Sequence, residues 1–316
     1  MKKDAAISYI LLTVTSVIFG FSFLVTRDAL EALGVFQLLG LRFLTAALAM
    51  TILAVTGLVK VRLSLAKLKM LLPLALLQPL IYFTGETLGI ELTSATESGM
   101  MIALIPITIA LFSGAVAKEK LTARQWISVG ISVGGVALIV ASQDLIGSGS
   151  IPGYLLLLAA VTVEGLYCAL TRKVSVQCSP FEITFVIVWV GAIVFNIIGV
   201  SVAASDGTVG QYISAALQPG VLEGILYLGI LASTISYFGV NYALSKIKVC
   251  NTAGFANLTT VVSVLAGVIL GGETLLPLQI AGIVLILLSI WGIAGGSVLR
   301  KKRICEEPMQ ITAMEE

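Results

Sequence analysis

Ten apolar stretches, each long enough to cross about 30 Å of hydrocarbon as a helix, divide this chain and restrict it to one architecture, a helical bundle embedded in a membrane. They cover residues 7–26, 35–57, 68–90, 94–117, 123–142, 151–171, 180–203, 219–245, 250–271 and 275–297. Seventeen of the nineteen Lys and Arg residues lie in or beside alternate gaps. These are Lys2 and Lys3, then Lys60, Arg62, Lys67 and Lys69, then Lys118, Lys120 and Arg124, then Arg172 and Lys173, then Lys246 and Lys248, then residues 300–303. The other side has only Arg27, at a helix end, and Arg42 lies inside the second stretch. Cytoplasmic loops hold the excess of basic residues, so the pattern predicts a multi-pass protein of the cytoplasmic (inner) membrane with both N and C termini in the cytoplasm.

With 58% hydrophobic and 11% charged residues and a mean hydropathy of +1.06, too little polar sequence is left for a soluble domain. The first stretch has span length and no small-residue cleavage site, so it is expected to stay in the protein. The basic run at 300–303 reads as an anchor against anionic lipid, and no nucleic acid is expected as a partner. Of the four cysteines, Cys168 is in the sixth stretch, Cys178 and Cys250 lie near the basic side and Cys305 is in the tail, so none is placed for a structural disulfide. The chain has no His and no Cys-x-x-Cys pair, which removes the commonest metal ligand and catalytic base together. It also has no Gly-x-x-x-x-Gly-Lys-Ser/Thr phosphate loop. No metal or other cofactor is expected, and any work the protein does must draw on a gradient.

The second half repeats the first. At an offset of 145, Tyr9 meets Tyr154, Gly20 meets Gly165, Thr26-Arg27 meets Thr171-Arg172 and Phe36 meets Phe181. At 155, Tyr82-Phe83 meets Tyr237-Phe238 and Gly99 meets Gly254; at 154, Glu119, Leu121 and Gln125 meet Glu273, Leu275 and Gln279. Each copy carries five stretches, and an odd number inserts the copies upside down relative to each other. The fold expected is thus all-α, ten transmembrane helices in two inverted five-helix repeats, residues 1–146 and 147–299, followed by a cytoplasmic tail, 300–316. Inverted repeats suit alternating access, because one pattern in two packings opens to opposite faces.

The first copy reads Tyr82, Ala95, Leu104-Ile105-Pro106, Glu119-Lys120-Leu121, Gln125 and Gly130, and the second Tyr242-Ala243-Leu244, Ala253, Gly272-Glu273-Thr274-Leu275, Gln279 and Gly282. With Ile18-Phe19-Gly20 and Arg42-Phe43, this pattern resembles the EamA type of the drug/metabolite transporter superfamily over nearly the whole chain. The resemblance implies a non-enzymatic secondary transporter, an exporter of small metabolites such as amino acids or amines. Two departures stand out: Asn257-Leu258-Thr259-Thr260-Val261 occupies the place where Pro106 would repeat, and Glu164 replaces the aromatic or small residue usual in the sixth stretch. A non-transporting scaffold or an intramembrane enzyme is the alternative. The expected partners are a small-molecule solute, protons in one reading, and the lipid bilayer, with monomer and homodimer both open.

An ionisable residue inside a membrane costs about 2.5 to 3.5 kcal/mol on insertion scales unless a partner or water serves it. At 1.5 Å per residue, Arg42 lies roughly 10 Å and Glu86 roughly 5 Å below the outer surface, with Glu97 opening the fourth stretch there. They read either as a structural ion pair or as an outer gate. Glu164 lies about 20 Å from that surface, at a depth with no basic residue. It reads as a neutral, hydrogen-bonded carboxyl, as a proton-coupling site, or as a counter-ion for a cationic solute. Ser233, Tyr237 and Asn241 recur every four residues, as do Gln78, Tyr82 and Glu86 at the matching positions. With Trp189, Asn196 and Asn257 these are candidates for a solute-binding lining, or else for interhelical hydrogen bonds worth about 0.6 kcal/mol each. Gly130–Gly134 and Gly292–Gly296 have the spacing of close helix contacts. Pro73, Pro79 and Pro106 are expected to bend helices, Pro106 being the candidate hinge.

Overall fold

Helix starts are written locally. Ser94 Oγ accepts from the Glu97 N–H (3.1 Å) and the Glu97 carboxylate from the Ser94 N–H (3.2 Å), while Ser179 and Glu182 do the same at 3.2 and 2.9 Å. These reciprocal caps satisfy donors that the first helical turn leaves free. The computed structural model describes residues 2–57, 59, 61–116, 123–142, 150–247, 252 and 255–289. Lys60, Lys118, Glu119, Lys120, Lys248, Cys250, Ala253, Gly254, Cys305, the Gly292–Gly296 spacing and the tail at 300–316 lie outside them.

The described residues are helical, and seven of their helices are long and apolar enough to cross a membrane. These comprise α1 (Lys2–Leu30), α2 (Val35–Val55), α3 and α4 (Leu65–Ala75 and Phe83–Leu92, one continuous rod), α5 with α6 (Ala95–Ile102 and Ile105–Val116), α8 (Ile151–Val174), α9 (Pro180–Ser205), and the rod of α11 and α12 (Pro219–Leu226 and Tyr237–Lys246). Shorter apolar helices fall in α7 (Ala123–Ala141), α13 (Phe255–Ile269) and α14 (Pro277–Ser289), and a short helix, α10 (Val209–Ala216), fills the longest loop. Apolar side chains such as Leu48, Ile52, Val55, Ile193 and Ile197 are exposed on the outside, as a lipid-facing surface requires. Gly57 and Gly207 end α2 and α9 with φ of +75° and +67°, the left-handed close that favours glycine.

Helix packing ties the halves together: α2 lies along α9, α1 along α13 and α11–α12, α8 along α6 and α3–α4, and α5 along α13. Exchanging each helix for its counterpart in the other half maps these pairs onto one another. Matching glycines make the crossings. A Cβ on Gly20 would overlap the Val262 side chain, and one on Gly165 would lie 2.7 Å from the Thr108 backbone carbon. Gly165→Ala is therefore expected to destabilise by about 1–3 kcal/mol through overpacking, read as a lower Tm in detergent. Gly130→Ala is the control, because a Cβ there meets nothing. The close approach of α7 to α14 is made by Gly135 and Gly282, where a Cβ added to either would lie 2.6 Å from the other's carbonyl oxygen, and not by Gly130 and Gly134.

Both rods contain a π-helical stretch, Leu76–Tyr82 and Tyr227–Ser236, each running up to the tyrosine position that the repeat matches, Tyr82 and Tyr237. Pro79, which has no N–H, lies inside the first. In the second, Thr234 Oγ1 donates to Gly229 O five residues back at 3.0 Å. Such widened turns frequently mark functional places in helices.

Candidate functional site

A cavity of about 90 Å³, room for several waters, lies between the halves and is walled by α1, α2, the end of the first π stretch, α4, α5, α6, α8, α12 and α13. Five of the expected residues line it: Arg42, Tyr82, Glu86, Glu164 and Tyr237. The lining repeats across the halves, since Tyr82 matches Tyr237 at an offset of 155 and Phe19 matches Glu164 at 145. Phe19 sets its ring edge-on to Tyr237, centroids 5.4 Å apart. Glu164 holds the corresponding place in the second half.

The buried Arg42 donates from Nε to Ser233 Oγ at 2.8 Å and lays its guanidinium 4.3 Å from the centre of the Phe83 ring. Glu86 accepts from Tyr82 Oη at 2.7 Å. No ion pair joins Arg42 to Glu86 or Glu97 among the described residues. Glu97 caps α5 and accepts from Gln279 Nε2 of α14 at 3.1 Å, so it is turned away from the cavity. Depth along a helix axis is legible from residue counting, but direction around the axis is not. That is why three residues at one level do not form one cluster.

Gln78 and Ser233 stand directly behind the wall, fully buried, and hold lining side chains: Gln78 Nε2 donates to Tyr237 Oη and Ser233 accepts from Arg42. Asn241 is turned to α8 and α9, accepting from Tyr167 Oη at 2.7 Å and donating to Thr184 Oγ1 at 3.0 Å. An i, i+4 stripe drifts by about 40° per step around an α-helix, which takes Asn241 off the cavity face that Tyr237 occupies. Trp189 donates to Thr51 Oγ1 at 3.1 Å where α2 meets α9, and Asn196 donates to Gly40 O at 2.8 Å, so both serve helix contacts. Asn257 is on α13 between the lining residues Ala256 and Thr259, without itself lining the cavity. Pro106 is not a mid-helix hinge. Turns at Ala103 and Leu104 separate α5 from α6, and Pro106 occupies the first turn of α6, where a missing N–H costs nothing. The aromatic and hydroxyl residues of the lining that sequence reasoning missed are Phe19, Phe23, Phe83 and Phe255, and Thr15, Ser16, Ser22, Thr252 and Thr259. Phe19 could have been found as the counterpart of Glu164.

Beyond the end of the cavity that Phe23 lines, side chains bind backbone and cross-link helices. Arg27 Nη1 donates to the carbonyls of Ile90, Glu91 and Thr93 at 3.0, 3.1 and 2.9 Å. Glu273 accepts from the N–H groups of Ala95 and Thr96 at 3.0 and 2.9 Å, clamping the start of α5, and Gln279 holds Glu97 beside it. The repeated Glu273 and Gln279 thus fasten the second half to the first. Near the opposite end, Lys67 Nζ reaches Glu182 at 2.8 Å, tying the start of α3 to the start of α9. Burial pushes the thiol of the neighbouring Cys178 above its usual range, and Cys168 and Cys178 are both free.

The sequence profile of the EamA-like transporter family matches residues 6–141 and again residues 151–295. The chain is similar to the uncharacterized transporter YcxC of Bacillus subtilis (strain 168), with 32% identity over 304 residues, 96% of each protein. It is also similar to a protein of Streptantibioticus cattleyicolor described as a probable terminal-alkyne amino-acid exporter, with 24% identity over 219 residues, 66% of this chain and 65% of that one. A protein of solved crystal structure shares the fold, with a TM-score of 0.61 and 16% identity over 96% of this chain and 99% of that one.

Proposed function

This chain belongs to the EamA-like transporter family, and on that premise we propose that it is a secondary transporter that exports small metabolites such as amino acids or amines across the cytoplasmic membrane by alternating access. It does so with ten transmembrane helices in two inverted five-helix repeats, residues 1–146 and 147–299, with both termini in the cytoplasm. The family is one of transporters, so the enzyme alternative falls away.

The observation that carries the reading is the cavity between the halves, walled by matching positions of both, with helices cross-linked beyond one end. On the orientation proposed from the charge pattern that end is extracellular, and the lining reaches Leu12 and Thr252 toward the cytoplasmic end. The state is therefore closed to the outside. Arg42 lines the cavity and uses Nε on Ser233, which leaves two terminal nitrogens, a donor set that fits a carboxylate bidentately. Glu86 and Glu164 supply acceptors for an ammonium group, while Phe19, Phe23 and Ile105 supply an apolar wall. The occupant that matches all three is a zwitterion with an apolar side chain. At about 90 Å³ the cavity must widen to admit it, so binding and conformational change go together.

The test is uptake of labelled leucine, serine, lysine and tyramine into liposomes carrying the purified protein, with and without an imposed pH gradient. Saturable uptake of leucine in preference to lysine and tyramine is expected. Equal leakage of all four would reject a selective carrier.

A further inference from the structure

Glu164 has hydrogen-bonding capacity that its surroundings do not use. Its Oε1 accepts from Cys168 Sγ at 3.4 Å, while Oε2 is buried and unpartnered. Beside it lies the amide of Gln78. The Nε2 of that amide donates to Tyr237 Oη, and its Oε1 is also buried and unpartnered. Each of these neighbouring residues thus keeps a buried acceptor without a donor, desolvated for no return. With the amide oriented as it is, a single proton removes the defect, because a neutral carboxyl group donates as well as accepts.

We propose that Glu164 is a proton-binding site whose proton sets the direction of a hydrogen-bond chain, Glu164 to Gln78 to Tyr237, running between the two halves. The inference rests on the proposed transport function and adds its coupling ion. With the proton bound, donation runs from Glu164 to Gln78 and from Gln78 to Tyr237, which is the amide orientation in the structure. With the proton gone, a half-turn of the amide presents Nε2 to the carboxylate and Oε1 to the Tyr237 hydroxyl, and the chain reverses. The proton is taken from cavity water and returned to it, so no other reactant is required.

The chain joins α8 and α12 of the second half through the first π stretch. The titratable groups facing Glu164 are Tyr167 and Cys168 on its own helix, Tyr82 from that π stretch, Glu86 from α4 and Tyr237 from α12. Arg42 of α2 faces Glu86 in the same cavity. Glu86 already has a donor in Tyr82; the carboxyl oxygen left unserved belongs to Glu164.

Infrared spectroscopy of the full chain in lipid tests the site directly. Wild type is expected to give a neutral-carboxyl band that shifts in D2O, is lost reversibly as pH rises, and is missing from Glu164→Gln. Glu164→Asp should keep a band and Gln78→Leu should displace it. In liposomes, the ratio of leucine, serine, lysine or tyramine uptake with a pH gradient to uptake without one should fall to unity in Glu164→Gln. A wild-type spectrum without the band, or a ratio unchanged by Glu164→Gln, would overturn the proposal. The band without transport of any of the four probes would support the proton site and overturn the transport function; transport without the band would do the reverse.

Discussion

Replacing Arg42 with alanine is expected to raise the KM for leucine export by about 10- to 100-fold, since a hydrogen bond to a charged group contributes about 1.5–3 kcal/mol and about 1.4 kcal/mol is tenfold. The guanidinium is buried, held by Ser233 and stacked on Phe83, so it reaches the cavity already oriented. Arg42→Lys keeps the charge and loses both the fork and the flat face. It should recover only part of the affinity. Concentration-dependent uptake into liposomes, with incorporation checked for each variant, measures both. If Arg42→Ala leaves KM unchanged, Arg42 is a structural link between α2 and the second π stretch and does not contact solute.

Glu273→Ala should open the outer end. Its carboxylate takes two backbone N–H donors at the start of α5, bonds that join the two halves there and that separating the halves at that end would break. Losing about 2 kcal/mol from one of two conformations shifts their populations by roughly 30-fold. Cysteine accessibility reads this out. In a background with the four native cysteines replaced, Ile102→Cys places a thiol in the cavity wall, and a membrane-impermeant maleimide added outside should label it roughly 10- to 30-fold faster when Glu273 is alanine. An unchanged rate would mean that Arg27, with its three carbonyls, closes that end by itself.

The apolar stretches, the repeat and the ionisable residues at depth were legible because each depends on composition and spacing along the chain. Arg42, Glu86 and Glu164 were found by the cost of placing them in hydrocarbon, and Tyr82 and Tyr237 by the repeat. Facing was harder. The partner of Glu97 is Gln279, 182 positions away, and nothing in the spacing of either residue selects it over Arg42. The two π stretches also rotate the helical turns beyond them, so the polar stripe of Ser233, Tyr237 and Asn241 divides among an arginine, the cavity and a helix contact. Pro79 was expected to bend its helix and lies inside one widened stretch. The other, at Tyr227–Ser236, has no proline and was not readable from periodicity.

Counterflow tests the central claim most directly. Liposomes loaded with unlabelled leucine are diluted into medium containing a trace of labelled leucine. A carrier with one solute site and alternating access is predicted to draw label in to a transient overshoot above equilibrium, abolished by Arg42→Ala. Label that rises only to equilibrium, at a rate that does not saturate with leucine, would contradict the account and describe a pore.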